Sequence, residues 1–202
     1  MRKKVMIVAL ALVLASLFTF VAYASVASKT ASDMGQVSSV RVVDPLTGQT
    51  LFVNNLSVAV VENSPAAVAE LNNIQSFYTA NGGAVIGYFD DAVVEEIAAL
   101  LPVGFNTNNL VLNEFVMTQI FGSADGLGIL EITFDFATEF SVGQNVVAVI
   151  GVFDAQGNVE WIAQEAYVQM DDDGVARVKV RFTQDVLEKV AENPFAVAIL
   201  SE

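Results

Sequence analysis

From residue 109 onward, apolar residues alternate with polar ones, whereas two stretches of the first half repeat at helical spacing instead. Gln36–Val43 and residues 50–61 are β-branched and alternating. Asp44-Pro45-Leu46-Thr47-Gly48 separates them, with Pro and Gly where a turn needs them, so a hairpin is predicted. Ser64 can cap a helix whose first position is Pro65. Ala67, Leu71, Ile74 and Tyr78 then share one face until Asn81-Gly82-Gly83 stops it. A short apolar strand is expected over residues 84–89. A second helix should follow, capped by Asp90 and lined by Val93, Ile97, Leu100 and Leu101 up to Pro102.

The remainder reads as β-structure. Residues 110–121 make a long strand, with a turn at Ser123-Ala124-Asp125-Gly126. Leu130, Ile132, Phe134 and Phe136 then alternate with Glu131, Thr133 and Asp135, as in a strand with one wet face. Val146–Phe153 is apolar throughout and reads as a buried strand. Asp154-Ala155-Gln156-Gly157 and Asp171-Asp172-Asp173-Gly174 read as hairpin turns. A short helix is expected over residues 183–193, and a closing strand over residues 195–200. The predicted class is mainly β (α+β): an antiparallel β-sandwich or partly open barrel with two or three short packing helices. The pattern predicts an N-terminal α+β region over residues 36–108 and a C-terminal β-sandwich-like region over 109–202, as two units or as one continuous domain.

The first 24 residues are of a different kind. Arg2, Lys3 and Lys4 precede an uncharged apolar run from Val5 to Val21 that ends in Ala22-Tyr23-Ala24, the pattern of a secretory signal peptide cut after Ala24. An uncleaved anchor is the competing reading, since about 20 apolar residues span a bilayer. Residues 25–35 are small and polar and read as a tether. No second hydrophobic segment followed by basic residues marks the C-terminus. A secreted or cell-surface location, periplasmic or extracellular, is therefore expected, with bacterial export as the context and no membrane contact after cleavage.

Cleavage removes three of the nine basic residues and none of the 23 acidic ones, taking the net charge from −14 to −17. Such a charge repels phosphate backbones and anionic lipid, which argues against nucleic acid as a partner and leaves a protein or cell-surface component. Nothing in the pattern fixes an oligomeric state.

The chain has neither His nor Cys. That excludes Ser-His-Asp and Cys-His nucleophiles, His- or thiolate-bound metals, and disulfide staples. Carboxylate chemistry, Ser-Lys pairs and hard cations remain. Glu131 with Asp135, and Glu160 with Glu165, are the carboxylate pairs that a glycoside hydrolase would need. Of the lysines outside the leader, Lys29 lies in the tether, Lys179 on a strand and Lys189 on a helix, and none has the burial that Ser-Lys catalysis requires.

Asp171, Asp172 and Asp173 crowd three carboxylates into one turn. They form either a calcium candidate or a solvated β-turn, and the EF-hand spacing is missing. Arg177, Lys179 and Arg181 alternate with Ala176, Val178, Val180 and Phe182, so three of the six cations outside the leader form a stripe. It is either a partner-docking face or one side of cross-strand pairs with acids such as Glu160 or Glu165. Trp161, the only tryptophan, packs in the core or offers a sugar platform.

The segment 109–202 also carries Thr133-Phe134, Phe140-Ser141-Val142-Gly143-Gln144, the run from Asp154 to Trp161, Asp173-Gly174-Val175 leading to Val180-Arg181-Phe182-Thr183, and a terminal Ala196-Val197-Ala198-Ile199-Leu200. This resembles a β-sandwich domain that recurs in uncharacterised secreted and surface proteins of anaerobic bacteria. Relative to that pattern, Gln184 to Glu192 is an insertion. The resemblance implies a hairpin at Gly157 with Trp161 packed in the sandwich, and it brings no catalytic residues. The expected function is a non-catalytic binding, adhesive or structural role without a cofactor. The alternative is a carbohydrate-active protein, either a sugar-binding module or a two-carboxylate hydrolase.

Overall fold

The computed structural model describes residues 35–51, 53, 56–122, 128–191 and 193–202; the leader, the tether up to residue 34 and the turn at 123–126 lie outside the described residues. Among the described residues nine strands form: β1 (Gln36–Val43), β2 (Thr50–Leu51), β3 (Ser57–Val61), β4 (Val111–Phe121), β5 (Ile129–Asp135), β6 (Val146–Phe153), β7 (Val159–Met170), β8 (Ala176–Phe182) and β9 (Phe195–Ser201). Three α-helices join them: α1 (Pro65–Ala80), α2 (Asp91–Leu100) and α3 (Gln184–Val190). Every pairing is antiparallel, in the order β2-β1-β5-β8-β7-β6-β9-β4-β3, and the sheet curls into a half-barrel.

β7 makes the curl continuous. Its first half pairs with β6, from Val159 opposite Phe153 to Glu165 opposite Val147, and its second half pairs with β8 from Ala166 onward. Twelve residues of one strand thus serve both halves of the sheet.

Burial divides the molecule into two apolar layers. Inside the curl, Leu130, Ile132, Phe134, Ala148, Ile150, Val178, Val180, Phe182, Phe195, Val197 and Ile199 interdigitate, and α3 adds Val186, Leu187 and Val190. Each large side chain buried there contributes about 1.5–3 kcal/mol. The convex face of β4, β9 and β6 is covered by α1 and α2 through Ala67, Leu71, Ile74, Val93 and Ile97, which meet Phe115, Met117, Val147, Val149, Ala196 and Ala198. β6 and β9 are therefore apolar on both faces because both faces are covered.

The helices start where local chemistry dictates. Ser64 Oγ accepts the Ala67 N–H at 3.1 Å, and Asp90 Oδ1 accepts the Val93 N–H at 2.9 Å. Each cap satisfies an N–H that the first helical turn leaves without a partner, worth about 1 kcal/mol.

Two expected elements differ. The second arm of the first hairpin stops after Leu51; the chain crosses to the far edge of the sheet, where β3 pairs with β4 from Ser57 opposite Phe121 to Val61 opposite Met117. Val53, Leu56, Val58 and Val60 pack against the inner layer on the way, so burial over the open side of the curl outweighs extension of the local hairpin. The apolar run 84–89 is not a strand. It holds a single 3-10 turn, Ile86–Tyr88, and drops Val85, Ile86 and Phe89 into the helical layer, away from any strand edge.

Trp161 is half-buried on the convex side of β7. Its ring meets Phe89 edge-on at 5.6 Å, and its Nε1–H donates to Glu70 Oε1 at 3.2 Å. Gly151 on β6 makes room for it, because a Cβ there would lie 2.7 Å from the indole. Gly151→Ala should lower stability by about 1–3 kcal/mol through overpacking, read as a lower urea midpoint together with a shift of the single-tryptophan emission. An unchanged midpoint and spectrum would show that Trp161 does not pack on β6.

Candidate functional site

The convex face of β1, β5, β8 and the second half of β7, from Glu165 onward, lies beyond the two helices, and polar side chains cover it in rows set by strand register. In the first row Arg41 stands opposite Glu131, and Glu131 opposite Arg181. Arg41 Nη2 donates to Glu131 Oε1 at 2.5 Å, Arg181 Nε donates to Oε2 at 3.2 Å, and Arg181 Nη1 reaches Glu165 Oε2 at 3.1 Å. The second row is Ser39, Thr133, Lys179 and Tyr167, with a 2.9 Å hydrogen bond from Ser39 Oγ to Thr133 Oγ1. From that row the Tyr167 hydroxyl donates diagonally to Glu131 Oε2 at 2.5 Å, and the Arg181 guanidinium lies 5.1 Å from the centre of the Tyr167 ring.

Arg177 anchors the end of this face near the β7–β8 turn. Its guanidinium donates to Asp135 and Asp171, each at 3.2 Å, and to both oxygens of Asp173 at 2.8 Å, while Lys179 meets Asp171 at 3.1 Å. A depression of about 470 Å³ opens here, lined by Ser38, Ser39, Gln169, Met170, Arg177 and Lys179 along with the turn aspartates.

Asp171 and Asp173 are thus engaged by cations, and Asp172 is exposed beside them. Among the described residues, no group of three or more carboxylates is arranged to hold a metal ion. Asp154 Oδ1 accepts the N–H groups of Gln156 and Asn158, and the Asn158 amide donates to Oδ2 at 2.7 Å, so that turn closes on itself.

The stripe Arg177, Lys179, Arg181 does lie on the face opposite Val178, Val180 and Phe182, which are fully buried. Of the acids expected as partners, Glu165 pairs with Arg181, whereas Glu160 meets Lys189 at 2.6 Å. Glu131, Asp135, Asp171 and Asp173 supply the rest. Glu131 and Thr133, expected on a wet face, are each only 2% exposed. Alternation sets the side of a strand; it does not set how deeply long neighbours such as Arg41, Arg181 and Tyr167 cover what lies between them.

The proton positions follow from these contacts. Burial pushes the Glu131 carboxyl up, but the Tyr167 hydroxyl, Arg181 and Arg41 outweigh it and hold the group below the ordinary glutamate value. Burial, then the hydrogen bond to Glu131, push Tyr167 up to about 12. Arg177, the Val175 N–H and their field hold Asp173 down to about 2. Chemically, Glu131 and Asp173 are carboxylates held in their ionised form by the donors around them. Held below the ordinary glutamate value, Glu131 is suited to accepting hydrogen bonds and not to delivering a proton near neutral pH.

Cations and anions are distributed unevenly. Each Lys and Arg among the described residues, namely Arg41, Arg177, Lys179, Arg181 and Lys189, sits in an ion pair. Between Arg41 and Arg177 the sequence contains no basic residue. Among the described residues, the helical layer presents Glu62, Glu70, Asp90, Asp91, Glu95 and Glu96 without a cation of its own.

No family model, characterised protein or solved structure matches the chain. Among the described residues no helix is long and apolar enough to cross a membrane.

Glu131→Leu should cost about 2–3 kcal/mol, toward the low end for breaking a buried pair because Arg41 and Arg181 keep partial access to water. The pH dependence has two limbs. Glu131 is depressed in the folded state, so its contribution is present at neutral pH and lost as pH falls below the ordinary glutamate range. Tyr167 is raised, so its contribution is present below about pH 10 and lost as pH climbs toward about 12. Urea midpoints measured across pH should show Tyr167→Phe flattening the alkaline limb. Identical alkaline limbs in the two proteins would refute the Tyr167–Glu131 hydrogen bond.

Proposed function

We propose that the protein is an exported or cell-surface bacterial module with a non-catalytic binding, adhesive or structural role, acting without a cofactor. Its partner, on this reading, is a basic protein or cell-surface component. The observation that carries the proposal is the charge asymmetry between its two convex faces. On the sheet face every cation is already held by carboxylates, so Arg177, Lys179 and Arg181 are occupied and offer little to an outside anion. The described charged residues of the helical layer are all acids, and like charges on one face attract a complementary partner over about 10 Å at ordinary ionic strength.

A hydrolytic role draws no support from the same contacts. Glu131 is bound by two arginines and a tyrosine, and Trp161 is engaged with Phe89 and Glu70 instead of standing out as a sugar platform. The relation of residues 109–202 to a β-sandwich domain of secreted surface proteins belongs to this proposal and rests on the sequence pattern alone.

The test uses the chain lacking residues 1–24, fluorescently labelled and incubated with envelope fractions of the producing cells. Retention should fall as salt rises and should drop several-fold in the Asp91→Lys, Glu95→Lys double variant, while Glu131→Gln leaves it unchanged. Salt-independent retention, or glycan hydrolysis that disappears in Glu131→Gln, would overturn the reading.

A further inference from the structure

Asn81-Gly82 is the only Asn-Gly step in the chain, and it sits at the C-terminus of α1 on the acidic helical layer. Both residues are exposed. Asn81 is the helix C-cap: its backbone N–H donates to the Phe77 carbonyl at 3.0 Å, and its side-chain Nδ2–H donates to the same oxygen at 2.9 Å. Gly82 follows with φ +69°, and no atom lies within 4 Å of where its Cβ would be. The turn thus has at its centre a residue with no side chain to shield its amide nitrogen.

We infer that Asn81 is a site of spontaneous covalent modification, gated by opening of the last turn of α1. The Gly82 amide nitrogen attacks Cγ of Asn81; the new C–N bond closes a five-membered succinimide ring, the Cγ–Nδ2 bond breaks, and ammonia leaves with the proton taken from the Gly82 amide. Water then opens the ring at either carbonyl, giving isoaspartate or aspartate. No oxidant, metal or second protein is needed.

The cap explains the gating. With ψ at 26° and Nδ2 held on the Phe77 carbonyl, the carboxamide is turned into the helix end, so ring closure requires that turn to fray. The product resists re-forming. It has lost the Nδ2 donor, and it places a carboxylate at a helix C-terminus, where the helix dipole disfavours negative charge. It also adds one more anion to a layer that has no cation among the described residues, close in sequence to the 3-10 turn Ile86–Tyr88. Each event therefore loosens the α1 end and deepens the charge asymmetry of the helical face.

The whole chain without residues 1–24 is incubated at mildly alkaline pH and mapped by peptide mass spectrometry. Conversion of Asn81 should outpace that of the exposed Asn72, Asn106 and Asn108 several-fold, yield isoaspartate as the main product, and accelerate in urea below the unfolding midpoint. Asn81→Asp should exchange the amides at the end of α1 faster with deuterium while the strands stay protected. If Asn81 converts no faster than Asn106 and Asn108, the site is refuted. If its rate is indifferent to urea while it still leads, the gating by α1 is refuted.

Discussion

Strands that are apolar on both faces must be covered on both faces, and the rest of this fold follows from that constraint. Val147 and Val149 on β6 point outward, and Ala148 and Ile150 point inward; on β9 Ala196, Ala198 and Leu200 alternate with Val197 and Ile199 in the same way. A flat sheet would leave one of these sets in water, at about 25 cal/mol for each Å² of apolar surface. Curling brings β1, β5 and β8 round to cover the inner set, and two helices inserted between β3 and β4 cover the outer one. β7 makes this possible because it changes partners halfway along its length, and Glu96 secures the change by accepting the Ala163 N–H at 3.1 Å from α2.

Beyond that change of partners, the opposite convex face has no helix to cover it and solves the same problem with charge. Glu131 lies nearly as deep as the core residues behind it, yet it is tolerated because three donors surround it. Removing any one donor leaves the carboxylate short of partners, so the row behaves as a unit. This is also why the stripe of three cations, prominent in sequence, is quiet in the fold: the carboxylates that silence it come from β5, from the end of β7 and from the turn after it, up to 50 residues away along the chain.

Elements whose signals are local were legible in the sequence. Ser64-Pro65, Asp90 and the two Asp-Gly-containing turns act within three or four residues of themselves, and they set α1, α2 and the β6–β7 and β7–β8 hairpins as expected. What failed was whatever depended on a distant partner. Residues 50–61 have the alternation of a hairpin arm, but alternation does not say which strand they will meet, and the partner of Ser57–Val61 is β4. Residues 84–89 are apolar without a period, a pattern shared by buried strands and buried turns. For the candidate site, the side on which Arg177, Lys179 and Arg181 lie was legible, since parity is intrinsic to a strand. Their partners were not, since register is not. One hairpin sets Arg181 with Glu165 and Arg177 and Lys179 with Asp171 and Asp173, whereas Glu131 and Asp135 come from a strand that only register brings alongside.

The same separation of local from distant information bears on where binding can be looked for. Sequence alone leaves Arg177, Lys179 and Arg181 with two readings, a docking face or one side of cross-strand pairs with acids. Once register pairs them, an incoming anion must displace Asp171, Asp173 or Glu131, each already held at short range by a cation, and an exchange of one carboxylate for another gains little. The helical layer needs no such exchange. Its acids Glu62, Asp91 and Glu95 are exposed, and the nearest basic residue in sequence on either side is Arg41 or Arg177, both committed to the other face. Among the described residues, unpaired negative charge therefore accumulates on the face that packing, and not register, has left polar, and the proposed attraction to a basic partner would act through that face.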